Sequence, residues 1–288
     1  MDLQYVTNVE PPRCGNGLLI EYLSLYFNED WHYCEFYRCC QSIPCVNRET
    51  IFQRNHDFEL DLDNDHTKRY LIQLRHPVHS IVSHFEVQVS LGQLEHTREN
   101  WVSFSIEWIR FYQAFVAKWV LKNTNKNILI VTLEDLRDTP VLTVAEVVKL
   151  IAPNHQPEIE RLKNVAAEVH VNKVRDPRKF KYFDPLHFAL LELEVAEFLP
   201  QLGFSLQFIP TVDIGFKGKT KNLYELQSAL DFYLQRVELL DTTIRRRTLW
   251  TTQNAFKTII DEKDKTIERL QGTVTRLMRE NMGLNNDN

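Results

Sequence analysis

Short apolar runs alternate with helical patterns along the first half of the chain. Runs typical of buried strands occupy residues 3–9, 33–39, 50–56, 70–74 and 127–133. Spacings typical of amphipathic helices occupy residues 18–27, 77–85, 101–122 and 141–151. Apolar strands that alternate with helices predict an α/β domain, with a parallel sheet flanked by helices on both faces.

The helix predicted over residues 101–122 carries an aromatic stripe. Its rings recur at spacings of three and four residues: Trp101, Phe104, Trp108, Phe111, Phe115 and Trp119. That spacing places the rings on one helix face. We expect this face to lie in the core of the domain.

The pattern changes after residue 220, where glycine and proline become rare. Apolar residues follow one heptad-like phase over 226–244 and a different phase over 260–284. We therefore predict an α/β domain over 1–215 and a helical, coiled-coil extension over 220–288. The extension could join chains into a homo-oligomer or dock a partner, and a helical hairpin folded onto the domain is the alternative.

Composition supports a folded domain and narrows its partners. Hydrophobic residues make up 43% and aromatic residues 11% of the chain, enough for a sizeable core. A net charge of −5 gives no general reason to expect a nucleic acid as partner, so any anion site must be local. The sequence shows neither a membrane span nor a signal peptide, and the expected location is cytoplasmic.

All five cysteines lie within the first 45 residues, and four of them are close in sequence: Cys34, Cys39, Cys40 and Cys45. Such a group could be buried reduced thiols, or it could form a disulfide or a metal clip. The spacing is not the paired C-x-x-C of a zinc ribbon, and adjacent cysteines are not expected to face one ion. The sequence therefore assigns no metal site.

The segment PPRCGNGLL follows the first predicted strand and leads into a helix. Gly15 and Gly17 allow close backbone approach to an anion, and the helix adds the partial positive charge of its N-terminus. The Walker spacing G-x-x-x-x-G-K-[ST] is absent. A nucleoside triphosphate is therefore not the expected ligand.

Two further segments place basic residues near predicted strand ends. In FQRNHDF, Arg54 and His56 are two residues apart and project from the same side of a strand. In LRHPVHSIVSH, Arg75 ends a strand, and Ser83 follows in a helix that begins at Pro77. Arg75 and Ser83 could together bind one phosphate. Taken alone, Arg75 could equally form a structural ion pair, and His56 could be structural.

In order and spacing, the three segments resemble the sulfotransferases that use 3′-phosphoadenosine 5′-phosphosulfate (PAPS). PPRCGNGLL is similar to the 5′-phosphosulfate loop of that family, and LRHPVHSIVSH is similar to its 3′-phosphate motif. FQRNHDF resembles the catalytic K-[TS]-H segment, with Arg54 in the lysine position. VTLEDLRDTP resembles a structural segment of the form Y-E-D-L-x-x-x-P, and VRDPRKFKYFDP extends the likeness to about residue 205.

The resemblance implies a P-loop-like sulfotransferase fold and transfer of a sulfonate group from PAPS to a hydroxyl or amine. It makes a carbohydrate or other small metabolite the leading acceptor, bound near Cys34–Cys45 and the aromatic helix. His56 would be the general base, and Arg13 and Arg54 would balance charge. The resemblance assigns nucleotide binding to Arg13, Cys14, Gly15, Asn16, Gly17, Leu18, Arg75, Ser83, Arg178 and Lys179.

The chain also departs from the family pattern. Cys14 and Gly17 stand where relatives carry hydroxyl side chains, and Phe180 replaces the glycine of an Arg-Lys-Gly clamp. Arg178 and Lys179 could therefore form only a solvated basic turn. Two other functions stay open, an inactive sulfotransferase-like scaffold or regulator acting through the C-terminal helices, and a P-loop-like small-molecule kinase.

Overall fold

The protein is described by a computed structural model that covers residues 2–171 and 175–208. The coiled-coil extension predicted for residues 220–288 lies outside the described residues, as does the predicted end of the α/β domain at residue 215. The structural description below therefore concerns the α/β domain alone.

Five parallel strands form one sheet in the described domain. The strands are β1 (Val6–Val9), β2 (Tyr33–Glu35), β3 (Phe52–Asn55), β4 (Arg69–Leu74) and β5 (Ile128–Thr132). Their order across the sheet is β2-β3-β1-β4-β5, and each neighbouring pair is parallel. The parallel sheet predicted from the apolar runs is confirmed.

Of the α-helices in the described domain, one follows β1, two follow β4 and four follow β5. They are α1 (Asn16–Phe27), α2 (Pro77–Ser90), α3 (Arg98–Val116), α4 (Leu133–Asp138), α5 (Pro140–Ile151), α6 (Ile159–Glu168) and α7 (Pro185–Leu193). A π-helical turn, Ala117–Leu121, continues α3. Short 3₁₀ helices occupy Asn28–Asp30, Phe36–Arg38, Pro177–Lys179 and Pro200–Leu202.

The sheet is covered on both faces. Helices α1, α5 and α6 pack over one face, and α2, α3 and α7 pack over the other. Adjacent residues of β4 enter different cores, since Leu71 belongs to the first and Ile72 to the second. Burial on both faces explains why β4 and β5 carry runs of consecutive apolar residues rather than an alternating pattern.

The aromatic stripe of α3 lies against the core as predicted. Trp101, Phe115 and Trp119 are fully buried, whereas Trp108 and Phe111 are only partly covered. The π-helical turn brings Lys118 and Trp119 onto one carboxylate, since both side chains donate to Asp57 Oδ2, at 2.6 and 2.8 Å. This pairing fixes the loop that follows β3.

Two elements differ from the sequence pattern. The strand predicted over residues 33–39 ends at Glu35, and the chain then turns through the 3₁₀ helix Phe36–Arg38. The segment after β5 forms the short helix α4, because Thr132 and Asp135 make a reciprocal capping box at its N-terminus. Short helices stabilised by caps leave little periodic signal in a sequence.

The sheet order creates a crevice beside its central strands. Strands β1 and β4 are neighbours, but the helix after β1 covers one face and the helix after β4 covers the other. The two connections diverge at the carboxyl ends of these strands, which is where α/β sheets bind ligands. Within the described residues, no helix is both long and apolar enough to cross a bilayer.

Candidate functional site

The loop between β1 and α1 approaches the rest of the protein closely at Gly15. This residue has φ of 99°, and a Cβ there would lie 2.6 Å from Leu133 Cδ1, so both conformation and space favour glycine. Gly17 has open space around it. No side chain caps the N-terminus of α1, so its first backbone N–H groups can bind an anion.

Buried amide side chains form hydrogen bonds that hold this loop in place. Asn8 Nδ2 donates to Asn16 Oδ1 at 2.8 Å, and Gln73 Nε2 donates to the carbonyl oxygen of Cys14 at 3.1 Å. All three amide side chains are buried. The sequence analysis missed Asn8 and Gln73, although a polar residue within an otherwise apolar strand was the available signal.

A cavity of about 450 Å³ opens at the carboxyl ends of β1 and β4. Its lining includes five of the predicted nucleotide-binding residues: Arg13, Gly17, Leu18, Arg75 and Ser83. It also includes four basic residues that the sequence analysis did not assign: His79, Arg137, His170 and Arg175. The carboxylates in the lining are Glu21, Glu86 and Asp176. The cavity is therefore rich in cationic side chains although the chain as a whole is acidic.

Three guanidinium groups form an arginine cluster at this cavity: Arg13, Arg75 and Arg137. Arg13 Nε donates to Ser83 Oγ at 3.2 Å, and Arg75 donates to the carbonyl oxygen of Arg13 at 3.4 Å. Burial lowers the pKa of Arg75, and the charges of Arg13 and Arg137 lower it further. Among the described residues, no carboxylate forms an ion pair with the cluster, and Arg137 Nε is buried without a hydrogen-bond partner. Like charges held together in this way favour an anion between them.

The backbone of Arg75 is fixed by the helix behind it. Tyr112 on α3 donates its hydroxyl to the carbonyl oxygen of Arg75 and accepts the backbone N–H of Arg75 at 3.3 Å. Pro77 then begins α2, as predicted. The strand end and the helix N-terminus therefore present Arg75 and Ser83 to the same cavity.

His56 is held in one tautomer just after β3. Its Nδ1 lies 2.8 Å from the carbonyl oxygen of Glu10, which can only accept, so Nδ1 carries the proton and Nε2 is the basic nitrogen. Burial lowers the pKa of His56 to about 3, with a further contribution from the charge of Arg54. The imidazole is therefore neutral near physiological pH.

Arg54 does not line the cavity, because two carboxylates hold its side chain. Arg54 Nε lies 2.7 Å from Glu10 Oε1, and its NH1 nitrogen lies 3.2 Å from Glu35 Oε2. Burial raises the pKa of the fully buried Glu10 to about 7, against the opposite effect of Arg54. The structure thus places Arg54 beside His56 through Glu10, whose backbone carbonyl orients the imidazole.

His84, which the sequence analysis did not assign, follows the lining residue Ser83 on α2. Burial lowers the pKa of His84 to about 4, and the charges of His56 and then Arg13 lower it further. Its ring also packs edge-on against Trp108, with centroids 4.3 Å apart. The feature of the sequence that could have identified His84 is its position next to Ser83.

Three aromatic side chains surround this pair of histidines, and we name Tyr37, Phe58 and Trp108 the aromatic platform. Tyr37 stacks on His56 with centroids 5.7 Å apart, and Phe58 lies 4.8 Å from the same imidazole. Trp108 meets Phe58 edge to face at 5.9 Å. Tyr37 and Phe58 are 37% and 40% exposed, so their rings are accessible from solvent. Two parts of the chain predicted to bind the acceptor thus meet beside His56.

Several predicted residues do not turn their side chains toward the cavity. The Cys14 thiol is buried 3.9 Å from Ser80 Oγ, and burial raises its pKa well above the usual value. Arg178 Nε lies 3.1 Å from Asp176 Oδ1, and neither Arg178 nor Lys179 is part of the lining. The neighbouring Arg175 lines the cavity instead and pairs with Glu86 at 2.5 Å.

The sulfur atoms of the four clustered cysteines lie closer together than their spacing in the sequence predicts. Their sulfur atoms all lie within 4.8 Å of one another, so the expectation that adjacent Cys39 and Cys40 cannot face one point is wrong. Cys39 has φ of −124° and ψ of −114°, outside the helix and strand regions. The alternation of side chains along an extended strand therefore does not apply there.

Known proteins match this chain in structure but not in sequence. No protein-family model and no curated protein matches it. The crystal structure of mouse sulfotransferase SULT7A1 complexed with PAP aligns with a TM-score of 0.51 at 15% identity, covering 68% of this chain and 84% of that one. A sulfotransferase from Alicyclobacillus acidocaldarius aligns with a TM-score of 0.43 at 13% identity, covering 72% of this chain and 98% of that one. The alignment with the mouse protein confirms the predicted fold, and the described domain has the α/β fold of the sulfotransferases.

Proposed function

We propose that this protein is a PAPS-dependent sulfotransferase that acts on a hydroxyl or amine of a carbohydrate or small metabolite. One observation carries the proposal: the arginine cluster and Ser83 meet at one cavity beside the uncapped N-terminus of α1. The nearby His56 is neutral and held in a single tautomer. An anionic donor and a proton acceptor are the two requirements of sulfonate transfer.

PAPS carries two anionic groups, and the cavity offers two sets of donors. Arg75 and Ser83 would bind the 3′-phosphate, while the loop N–H groups from Gly15 to Leu18 and Arg13 would bind the 5′-phosphosulfate. Arg137 would add a third guanidinium. Arg178 and Lys179 lie between the lining residues Pro177 and Phe180 and would add charge at the nucleotide edge.

The proposed reaction is a direct displacement at sulfur. His56 Nε2 takes the proton of the acceptor while the acceptor oxygen or nitrogen forms a bond to sulfur. The bond between sulfur and the phosphate oxygen breaks, and the electron pair leaves with 3′-phosphoadenosine 5′-phosphate (PAP). Arg13 would stabilise the negative charge on the transferring group and on the departing phosphate.

Arg54 would act on this reaction indirectly. Its two carboxylate partners leave it little freedom to contact the sulfonate, whereas its bond to Glu10 fixes the residue whose carbonyl orients His56. Burial is the main cause of the low pKa of His56, and the positive charge of Arg54 lowers that pKa further. In this proposal Arg54 positions His56 through Glu10, and Arg13 stabilises the negative charge that develops during transfer.

The aromatic platform fits an acceptor with a ring face. Sugar rings and planar metabolites bind well against exposed aromatic side chains, which add apolar contact without losing many rotamers. Tyr37 and Phe58 flank His56, so an acceptor lying on them would bring a hydroxyl near Nε2. Both candidate acceptor classes share this ring chemistry.

The test is calorimetric titration of the full chain with PAPS, PAP and ATP, followed by an acceptor screen with PAPS. We expect PAP and PAPS to bind more tightly than ATP, since the 3′-phosphate has its own cationic partners. We also expect release of PAP in the presence of a suitable acceptor. Preference for ATP would overturn the proposal and favour a small-molecule kinase.

A second candidate function is that of an inactive sulfotransferase-like scaffold. The observation that favours it is the lack of side-chain hydroxyls in the phosphate loop, since the Cys14 thiol is buried and Gly17 has no side chain. Tight PAP binding without turnover across the acceptor screen would support this function. The C-terminal residues 220–288 would then provide its partner contacts, and they are also our proposed source of homo-oligomers.

A further inference from the structure

The cysteine cluster, which comprises Cys34, Cys39, Cys40 and Cys45, brings four thiols to one point. Cys34 lies on β2, the next two cysteines follow the 3₁₀ helix Phe36–Arg38, and the last lies beyond a tight turn. Every sulfur is within 4.8 Å of every other, and the sulfurs of Cys40 and Cys45 are 3.5 Å apart. All are free thiols.

We propose that the cysteine cluster binds one zinc ion as a structural tetrathiolate site. Zinc bound to four thiolates has sulfur–zinc distances of about 2.3 Å, which place the sulfurs about 3.8 Å apart in a tetrahedron. In the cluster the sulfurs of Cys40 and Cys45 are 3.5 Å apart, and no two sulfurs are more than 4.8 Å apart. The longest pair would need to close by about 1 Å, and the segment from Glu35 to Cys45 contains turns that can adjust.

The donor set selects the metal. Four soft sulfur ligands in a tetrahedral arrangement favour zinc or an iron centre over magnesium or calcium, which prefer oxygen. Within the described residues, this cluster is the one group of three or more cysteine, histidine or acidic side chains arranged to hold a metal. Thiols are weak hydrogen-bond donors and acceptors, so four converging thiols stabilise one another little. A cation bound by all four sulfurs would provide a stronger interaction.

A supporting shell and an entry path are present. The buried Gln53 on β3 donates to Cys34 Sγ at 3.5 Å and to the carbonyl oxygen of Ser42 at 2.8 Å, while its own oxygen accepts from the Tyr5 hydroxyl. Such outer contacts orient metal ligands. Cys34 and Cys45 are buried, whereas Cys39 is exposed, so an ion can enter from that side.

The site would also fix one wall of the proposed acceptor region. Tyr37 lies between the first two cysteines of the cluster, and its hydroxyl accepts the backbone N–H of His56 at 3.3 Å. A zinc ion tying residue 34 to residues 39, 40 and 45 would restrain the turn that carries Tyr37. This inference holds whether or not the protein transfers sulfonate.

The direct test is elemental analysis of the full chain purified with zinc chloride in the medium. We expect one zinc per chain, and we expect the Cys39→Ser/Cys40→Ser variant to lose it. The matched control is Cys14→Ala, which removes the remaining cysteine and should keep the zinc. Zinc content that is equal in the wild type and the double variant would overturn the proposal.

A second measurement avoids dependence on the folding of variants. The wild-type protein is stripped with a strong chelator under reducing conditions and titrated with cobalt chloride. We expect saturation at one cobalt per chain, with the intense thiolate charge-transfer and visible bands of a tetrahedral site, reversed by zinc. Absence of these bands, iron in place of zinc, or a disulfide between cluster cysteines in the freshly purified chain would each overturn it.

Discussion

The side chain of Arg13 donates a hydrogen bond of 3.2 Å to the hydroxyl of Ser83, which lies seventy residues further along the chain. This contact joins the loop after β1 to the helix after β4. It places a residue expected near the sulfonate beside a residue expected at the 3′-phosphate. The two ends of the proposed nucleotide site are therefore one connected surface.

Substitution of Arg75 tests the nucleotide assignment. We expect Arg75→Ala to weaken PAP binding by about 2 to 4 kcal/mol, because the variant removes a charged hydrogen-bonding partner of the phosphate. This loss corresponds to roughly a 30- to 900-fold higher dissociation constant, measured by calorimetry. Arg98→Ala is the control, since Arg98 is exposed, pairs with Asp184 and lies outside the cavity lining. Equal binding by the two variants would contradict the assignment.

Substitution of His56 tests the proton transfer. We expect His56→Ala to lower the single-turnover rate by at least about 100-fold, while PAP binding changes little, because general-base catalysis is lost and the arginine cluster is intact. His66→Ala is the matched control, because His66 is exposed in the loop before β4. Transfer at the wild-type rate by His56→Ala would remove His56 from the base role.

The dependence of the rate on pH follows from the pKa of His56, which burial lowers to about 3. A base with the ordinary imidazole pKa of about 6.5 would lose activity below that pH. Since His56 stays unprotonated to lower pH, we expect the single-turnover rate at saturating PAPS to show no acid-side loss near pH 6.5. Glu10, whose pKa is raised to about 7, could itself produce an inflection in this range, and the Glu10→Gln variant removes that source. An inflection near pH 6.5 that persists in Glu10→Gln would contradict the low pKa of His56.

The ion pair between Arg54 and Glu10 makes a prediction about stability. Removing Arg54 leaves a fully buried carboxylate unpaired, so Arg54→Ala should lower the free energy of unfolding by about 3 to 5 kcal/mol. Urea denaturation measures this change. The second substitution in Arg54→Ala/Glu10→Gln removes the charge and should recover part of the loss.

The ion pair between Arg54 and Glu10 also predicts how the effect of Arg54→Ala on stability depends on pH. The pKa of Glu10 is raised from 4.5 to about 7 in the folded protein, so its ionisation opposes folding as pH rises through that range. Without the positive charge of Arg54, ionisation of Glu10 destabilises the folded protein more. The difference in stability between wild type and Arg54→Ala should therefore be larger above pH 7 than below pH 4.5, and a difference that is constant with pH would refute the pairing.

Local pattern was sufficient to predict the fold, and several of the residues that it singled out line the same cavity. The apolar runs located the five described strands because parallel strands are buried on both faces, and Pro77 marked the start of α2. Arg13 and Arg75 were singled out because each follows a strand closely, and Ser83 because it follows Arg75 on the helix that begins at Pro77. These features depend on residues near one another in sequence.

Features that depend on contacts distant in sequence were not predictable in the same way. The pairing of Arg54 with Glu10 spans 44 positions, and nothing near Arg54 in the sequence announces it. Arg137 lies in a short helix whose place beside the cavity follows from the position of β5 next to β4. The convergence of the cysteine sulfurs depends on the turn at Cys39. Each requires the folded arrangement before its neighbours are known.

The order of strands across the sheet has a consequence for how such a protein can diversify. The central neighbours β1 and β4 lead into the arginine cluster, whereas the edge pair β2 and β3 leads to Tyr37, His56 and Phe58. In the proposed reaction, donor binding and acceptor choice are therefore encoded in separate stretches of the gene. On that proposal, mutations in the edge segments change the range of acceptors over evolutionary time and leave the proposed nucleotide site undisturbed.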